Sequence, residues 1–377
     1  VNKRVGILAL GVATLSAIFV QPLSVLAMPT EAGPAKANPA HPSAGSQIAE
    51  AARIGAAVQA VGADSFAGLK VDFPGGVVGY PDTTYATLPG YRPLKLDLFL
   101  PPSSFTGARP MIVYVHGGGW MAGGPRRSAA YENWPGILAA LAARGYVVAS
   151  VGYRFSGEAA SPAAIQDVKS AIRWLRANAA KYHVDPARAA IWGQSAGGQL
   201  AALAGVSCGV AALEPGARAE AKKGNVETVA TTVAGADAAS DCVQAVVSWF
   251  GIYDFTALRA APGPQAANSV ADAYIGCGES SCDAQARAAS PITYVDAADP
   301  PMLLMHGQDD RTVPVSQTHL FDAALRKAGV PVRTIIIPGV DHSWIGATPE
   351  ATANASRLAL REAIDFIDSR IGDAASK

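Results

Sequence analysis

The sequence is short of charge. Only 16% of its 377 residues are Asp, Glu, Lys or Arg, and 30 basic residues are matched by 30 acidic ones, so the formal net charge is zero. No basic stripe or acidic block stands out, which excludes nucleic acid as a partner attracted by counter-charge. Cysteine is scarce as well. The four cysteines, Cys208, Cys242, Cys277 and Cys282, include no Cys-x-x-Cys and have no histidine beside them. That spacing argues against a structural zinc site and for disulfides. Beyond the first segment no apolar run is long enough to span a bilayer, and no internal repeat is evident.

What is present begins at the N-terminus. Lys3 and Arg4 precede an apolar run from Val5 to Val20; Pro22 breaks it, and Val25 and Ala27 are small residues placed as a cleavage site requires. The pattern reads as a secretory signal peptide over residues 1–27 rather than a membrane anchor. The expected destination is the periplasm or the exterior, with no membrane span after processing. Four cysteines suit such an oxidising compartment. Residues 28–46, rich in Ala, Pro, Gly and Ser, read as a flexible linker, and residues 47–377 as one catalytic domain. Residues 47–61 have the pattern of a small helix. Glycines and serines around Cys277 and Cys282 favour pairing them across a tight loop. Cys208 and Cys242 then close the base of a surface insertion at about 207–242.

Half of the residues are hydrophobic, enough for a large core. Leu94, Leu96, Leu98 and Leu100 alternate with Lys95, Asp97 and Phe99, as in an antiparallel strand near a sheet edge. From there the pattern changes to continuous apolar runs, as in buried parallel strands: Met111–Val115, Tyr146–Val151, Ala189–Trp192, Val243–Phe250, Met302–Met305 and Val332–Ile337. Helical spacing lies between them, at Ile165, Val168, Ile172 and Leu175 and again at Leu320, Ala324 and Leu325. Alternating strands and helices predict an α/β fold, a mostly parallel sheet covered on both faces.

Three segments carry chemistry. Gly193-Gln194-Ser195-Ala196-Gly197 is a Gly-x-Ser-x-Gly between an apolar strand and a small-residue helix. A serine on such a turn projects its Oγ, and the helix N-terminus behind it favours developing negative charge. Serine needs a base. His342, in Asp341-His342-Ser343-Trp344 after a late strand, is the candidate; His116 and His306 each open a glycine turn and read as loop braces. An acid should lie between serine and base, and Asp309 and Asp310 after Met302–Met305 both qualify. His116-Gly117-Gly118-Gly119-Trp120 offers backbone N–H groups that, with that of Ala196, suit an oxyanion. Trp120, Tyr153 and Trp344 neighbour these motifs and are candidates to line an acyl or aryl pocket. Asp167 and Arg173, before the elbow strand, read as solvated or loop-bracing residues.

At these motifs the chain resembles the α/β-hydrolase superfamily, in particular the carboxylesterase branch with small bacterial esterases and feruloyl-esterase-like domains. The resemblance runs over about residues 90–370 and rests on HGGGW at 116–120, GYR at 152–154, PAAIQDVKSAIRWLRANA at 162–179, GQSAGG at 193–198, HGQDDRTVP at 306–314 and DHSW at 341–344. It implies that Asp310 is the acid, and that Gly118 and Gly119 rather than Gly117 join Ala196 in the oxyanion hole. The stretch 207–242 is longer than such esterases usually carry. The expected activity is hydrolysis of a small-molecule or polymer-attached ester by Ser195, His342 and Asp310, with no metal or organic cofactor. A serine peptidase or amidase of the prolyl-peptidase type shares this order, but the roughly 60 residues between linker and core are too few for the propeller such enzymes carry. A non-catalytic binding protein on the same fold typically loses a triad member, and this chain keeps all three.

Overall fold

In a computed structural model of the chain the residues described are 69–216, 239–260, 265–277 and 282–373. The expected signal peptide, linker and 47–61 helix, and residues 217–238 of the insertion, lie outside them. The apolar runs form the middle of a single sheet. Its strands are β1 (Val71–Phe73), β2 (Val77–Ala86), β3 (Leu94–Leu100), β4 (Arg109–Val115), β5 (Val147–Val151), β6 (Val184–Gln194), β7 (Ala245–Trp249), β8 (Met302–Gly307) and β9 (Val332–Ile337). They lie in the order β1-β2-β3-β5-β4-β6-β7-β8-β9. The pairs from β1 to β5 through β3 are antiparallel, and every pair from β5 across to β9 is parallel.

The helices of six residues or more are α1 (Trp134–Ala143), α2 (Ala163–Ala177), α3 (Ala196–Val206), α4 (Phe255–Ala260), α5 (Gln265–Ile275), α6 (Asp283–Ala289), α7 (Ser316–Ala328) and α8 (Pro349–Ile371). α1 and α8 bury one face of the sheet, with Trp134, Leu138, Ile367 and Ile371 in that core. α2, α3 and α7 bury the other, through Ile165, Val168, Ile172, Leu175, Leu200 and Phe321. The mostly parallel, doubly covered sheet expected from the alternation is therefore present.

Three details depart from the sequence pattern. β3 is antiparallel to both neighbours and near the sheet edge as expected, but β1 and β2, which no run had marked, add to its outer side. Its second face is also not solvated: Phe99 packs on Phe73 with ring centroids 5.4 Å apart. Asp97 is buried and accepts hydrogen bonds from Arg126 Nε at 2.7 Å and Asp82 N at 2.8 Å. In α7 it is Phe321 and Leu325 that enter the core, while Leu320 is exposed.

Cys208 bonds to Cys242 and Cys277 to Cys282. The polar edge of α2 holds both ends of the 207–242 stretch. Lys169, fully buried, donates to Ser207 O at 2.6 Å and pairs with Glu214 at 3.1 Å and Asp241 at 3.3 Å. Arg173 Nε binds Asp241 at 2.8 Å, and Arg176 donates to Ser240 O at 2.5 Å and Cys242 O at 2.6 Å. Asp167 is buried against Arg154, with Nη2–Oδ1 at 2.6 Å. Asp167 and Arg173 thus brace loops, and Asp167 is not solvated.

Candidate active site

The parallel strands bring their carboxyl ends to one rim, where ligand sites of open α/β sheets form. β6 ends at Gln194 and α3 starts at Ala196, so Ser195 alone makes the turn, at φ 54° and ψ −123°. That strained backbone is fixed on both sides. Ser195 N donates to Trp249 O at 2.9 Å, and Ser195 O accepts from Gln199 N at 3.0 Å. Gly197 lets α3 start directly against β4: a Cβ there would lie 2.1 Å from Val115 O.

Across from the serine runs the glycine loop after β4. Gly118 takes φ +118°, and a Cβ on it would meet Ala122 O at 2.0 Å. The loop turns because Gly118 O accepts from both Met121 N and Ala122 N at 3.1 Å. Among the described residues, the N–H groups of Gly118, Gly119 and Ala196 meet no acceptor. Ala196 opens a helix, so its N–H is one of the donors a helix leaves unpaired.

Ser195 Oγ lies 3.0 Å from His342 Nε2, and His342 Nδ1 lies 2.7 Å from Asp310 Oδ2. Asp310 is met by four donors. Its Oδ1 accepts from Thr312 N and Val313 N, both at 2.8 Å, and its Oδ2 faces His342 Nδ1 and His306 Nε2, the latter at 3.1 Å. Burial pushes the Asp310 carboxyl up, but hydrogen bonds from His306 and His342 outweigh it and hold the group well below the ordinary carboxylate range. Being ionised, Asp310 accepts, so His342 Nδ1 carries the proton and Nε2 presents a lone pair to Ser195. Asp309 differs from its neighbour: its side chain is exposed, and its N–H bonds to Val340 O at 3.0 Å.

These groups open onto a cavity of about 540 Å³, lined among others by Gly118, Gly119, Trp120, Arg127, Ser195, Ala196, Ile252, Val270, Val313 and His342. Of the three candidate pocket aromatics, Trp120 is on its wall. Its Nε1–H donates to Gln199 Oε1 at 3.1 Å and its ring stacks on Tyr274 at 4.2 Å. The other two do not line the cavity. Tyr153 lies behind His116, stacked on it at 4.5 Å, with its hydroxyl donating to His116 O at 3.0 Å. Trp344 lies beneath the His342 turn, edge-on to Phe250 at 4.7 Å and to Trp249 at 5.3 Å. Each follows a motif residue in the chain but is turned into the core.

Four contacts had no signal in the sequence. Phe250 supports the His342 ring edge-on at 4.6 Å. Gln199 ties Trp120 to Ala289 O, to which its Nε2 donates at 2.8 Å. Asp341 accepts from His342 N at 2.7 Å and from Arg311 Nε at 2.6 Å, pinning the His342 turn to the Asp310 loop. His306 reaches Asp310. Within the described residues no three His, Cys, Asp or Glu side chains gather as a metal would require, and no helix is long and apolar enough to cross a membrane.

The chain is similar to known esterases. The family model described as BD-FAE matches residues 96–325, which include Ser195 and Asp310 and stop short of His342. Esterase LipQ of Mycobacterium tuberculosis is 32% identical over 286 residues, 74% of this chain and 60% of that protein. The chain spans 54 to 62% of the length of three curated mycobacterial relatives, LipQ, LipM and LipC. Among solved structures, a truncated carbohydrate esterase from gut microbiota gives a TM-score of 0.62 at 27% identity, over 80% of this chain and 99% of that one. A bifunctional GH43-CE protein of Bacteroides eggerthii gives 0.61 at 33% identity, over 77% of this chain and 38% of that one.

Proposed function

The chain belongs to the BD-FAE family of α/β-hydrolase esterases, and we propose that it is an exported hydrolase of carboxylic esters working through an acyl-enzyme. The observation that carries this reading is the unbroken hydrogen-bonded run from Ser195 Oγ through His342 to Asp310, with Ser195 and His342 on the wall of one cavity. In the proposed reaction His342 Nε2 takes the Ser195 proton as Oγ attacks the ester carbonyl. The N–H groups of Gly118, Gly119 and Ala196 receive the developing oxyanion; one such donor contributes on the order of 3 kcal/mol in the transition state. His342 then returns its proton to the leaving alcohol. Water repeats the sequence on the acyl-enzyme, with His342 as base and Ser195 as leaving group. Asp310 holds the imidazole in the required tautomer and stabilises its charged form. The substrate is the ester of a small molecule or of a group carried on a polymer. Export rests on the pattern of residues 1–27, and the two disulfides are compatible with it.

The test is hydrolysis of 4-nitrophenyl esters from acetyl to palmitoyl, beside 4-nitroanilides and methyl ferulate, with Ser195→Ala as control. Turnover of short esters is expected, with kcat falling by about 10⁴-fold or more in a folded Ser195→Ala protein. Equal turnover in that variant would remove Ser195 from the mechanism, and preference for anilides would make the protein an amidase.

A further inference from the structure

The cavity wall carries charge of one sign. Among the described residues that line it, the ionisable side chains are His116, Arg127, Arg311 and His342, with no Asp or Glu. Three of these four are already accounted for. His342 is bound to Asp310 and Arg311 to Asp341, with Nε–Oδ2 at 2.6 Å. His116 is buried beneath Tyr153 and faces Gly117 O at 2.7 Å. Arg127 is different. Its backbone N–H closes a turn onto Gly124 O at 3.2 Å, its side chain is exposed, and its guanidinium has no partner among the described residues. Arg126, next to it in the chain, is fastened away from the cavity to Asp97 and Asp82, at 2.7 and 2.9 Å. Adjacent arginines therefore divide: one ties the loop to β3, and the other leaves an uncompensated cation on a concave wall that also holds Ser195.

We propose that Arg127 forms an anion-recognition subsite at the cavity, so that the preferred esters carry a carboxylate beside the scissile bond. The inference rests on the ester-hydrolase reading and adds the chemical class of substrate. A planar guanidinium with free N–H groups matches a carboxylate in a bidentate arrangement. An unopposed cation in a cleft also raises the local concentration of anions. Because the group is exposed, the effect is moderate and screened by salt.

The experiment compares matched ester pairs, anionic and neutral. 4-Acetoxybenzoate and its methyl ester place the charge on the alcohol side; mono-4-nitrophenyl glutarate and its methyl ester place it on the acyl side. The readout is the ratio of kcat/KM for the anionic over the neutral member, in wild type, Arg127→Gln and Arg127→Lys, at low and high salt. Expected is a ratio about two- to fivefold lower in Arg127→Gln for at least one pair, largely restored by Lys, and reduced in wild type by salt. The pair that responds tells which side of the ester faces Arg127. Ratios equal in wild type and Arg127→Gln for both pairs would overturn the subsite while leaving the hydrolase reading intact. No turnover of any ester by folded protein would overturn the hydrolase reading, and the subsite with it.

Discussion

His116-Gly117 follows β4 and His306-Gly307 ends β8, so one dipeptide stands at two strand ends on the active rim. Both histidines are buried, at 1% and 0% exposure. Neither is the histidine hydrogen-bonded to Ser195, which is His342. What surrounds them differs. His116 has a ring face, Tyr153, and a carbonyl, Gly117 O; burial pushes it down to about 4, so it stays neutral. His306 Nε2 faces Asp310 Oδ2 at 3.1 Å and Val313 O at 3.0 Å. Two acceptors on one nitrogen require that it carry a proton, and Nδ1 then meets Thr318 Oγ1 at 2.6 Å. The first histidine shapes a loop that lines the cavity; the second helps hold a carboxylate in its charged form. A buried histidine is thus defined by its partner rather than by its place after a strand.

The largest effect should come from taking away the charge that distinguishes the second site. Asp310→Asn cannot accept two imidazole N–H donors and two backbone donors as a carboxylate does, and the amide turns His342 to the wrong tautomer. A fall in kcat of the order of 10⁴ is expected in steady-state ester hydrolysis, in protein whose circular dichroism matches wild type. A loss below tenfold would assign the orienting role elsewhere. Next comes His306→Phe, which removes one of the four donors on Asp310. Hydrogen bonds to charged groups contribute about 1.5 kcal/mol or more, so kcat should drop about tenfold with KM little changed. His306→Gln, which keeps a donor, should recover most of the loss. If Phe and Gln behave alike, His306 only fills space.

Much of this was legible because it is local. Continuous apolar runs mark buried parallel strands, and a Gly-Gln-Ser-Ala-Gly between strand and helix needs no distant partner to be recognised. The 71–86 strands were not legible: Val77–Ala86 mixes Tyr, Pro, Asp and Thr, and its pairing with β3 shifts register between Tyr80 and Thr83. Such an irregular ribbon erases period two. The α7 face was misread because Leu320 and Phe321 are neighbours and composition does not say which turns inward. Tyr153 and Trp344 misled for the opposite reason. Both adjoin motif residues in the chain, but adjacency does not fix the side on which a ring packs. Phe250 and Gln199 could not be seen at all, since each acts through a contact about 80 residues or more away.

A stability effect sharpens the comparison from the side of His116. In the folded chain this ring stays neutral down to about pH 4, whereas an unfolded histidine takes up a proton near pH 6.5. Between those values the unfolded state binds more protons, so stability is full above about 6.5 and falls as the pH is lowered toward 4. The change is up to about 3 kcal/mol. Urea unfolding of wild type and His116→Gln across pH 4 to 8 checks it: the variant should be less stable near neutrality, with a flatter profile through this window. Parallel profiles would mean that His116 opens to solvent.

The smallest effect is expected at the residue beside the acid. Asp309 and Asp310 are chemically identical in the sequence, and only the turn after β8 separates them. Asp310 faces inward, where four donors converge, while the Asp309 side chain is exposed and its N–H, not its carboxylate, bonds to Val340 O. An exposed carboxylate with no close donor gains little from its charge, and salt screens what remains. Asp309→Asn should therefore leave kcat/KM within about twofold of wild type, against the roughly 10⁴-fold loss at Asp310. A large loss at Asp309 would mean that the turn takes another register when substrate binds, with the two carboxylates exchanging places beneath His342.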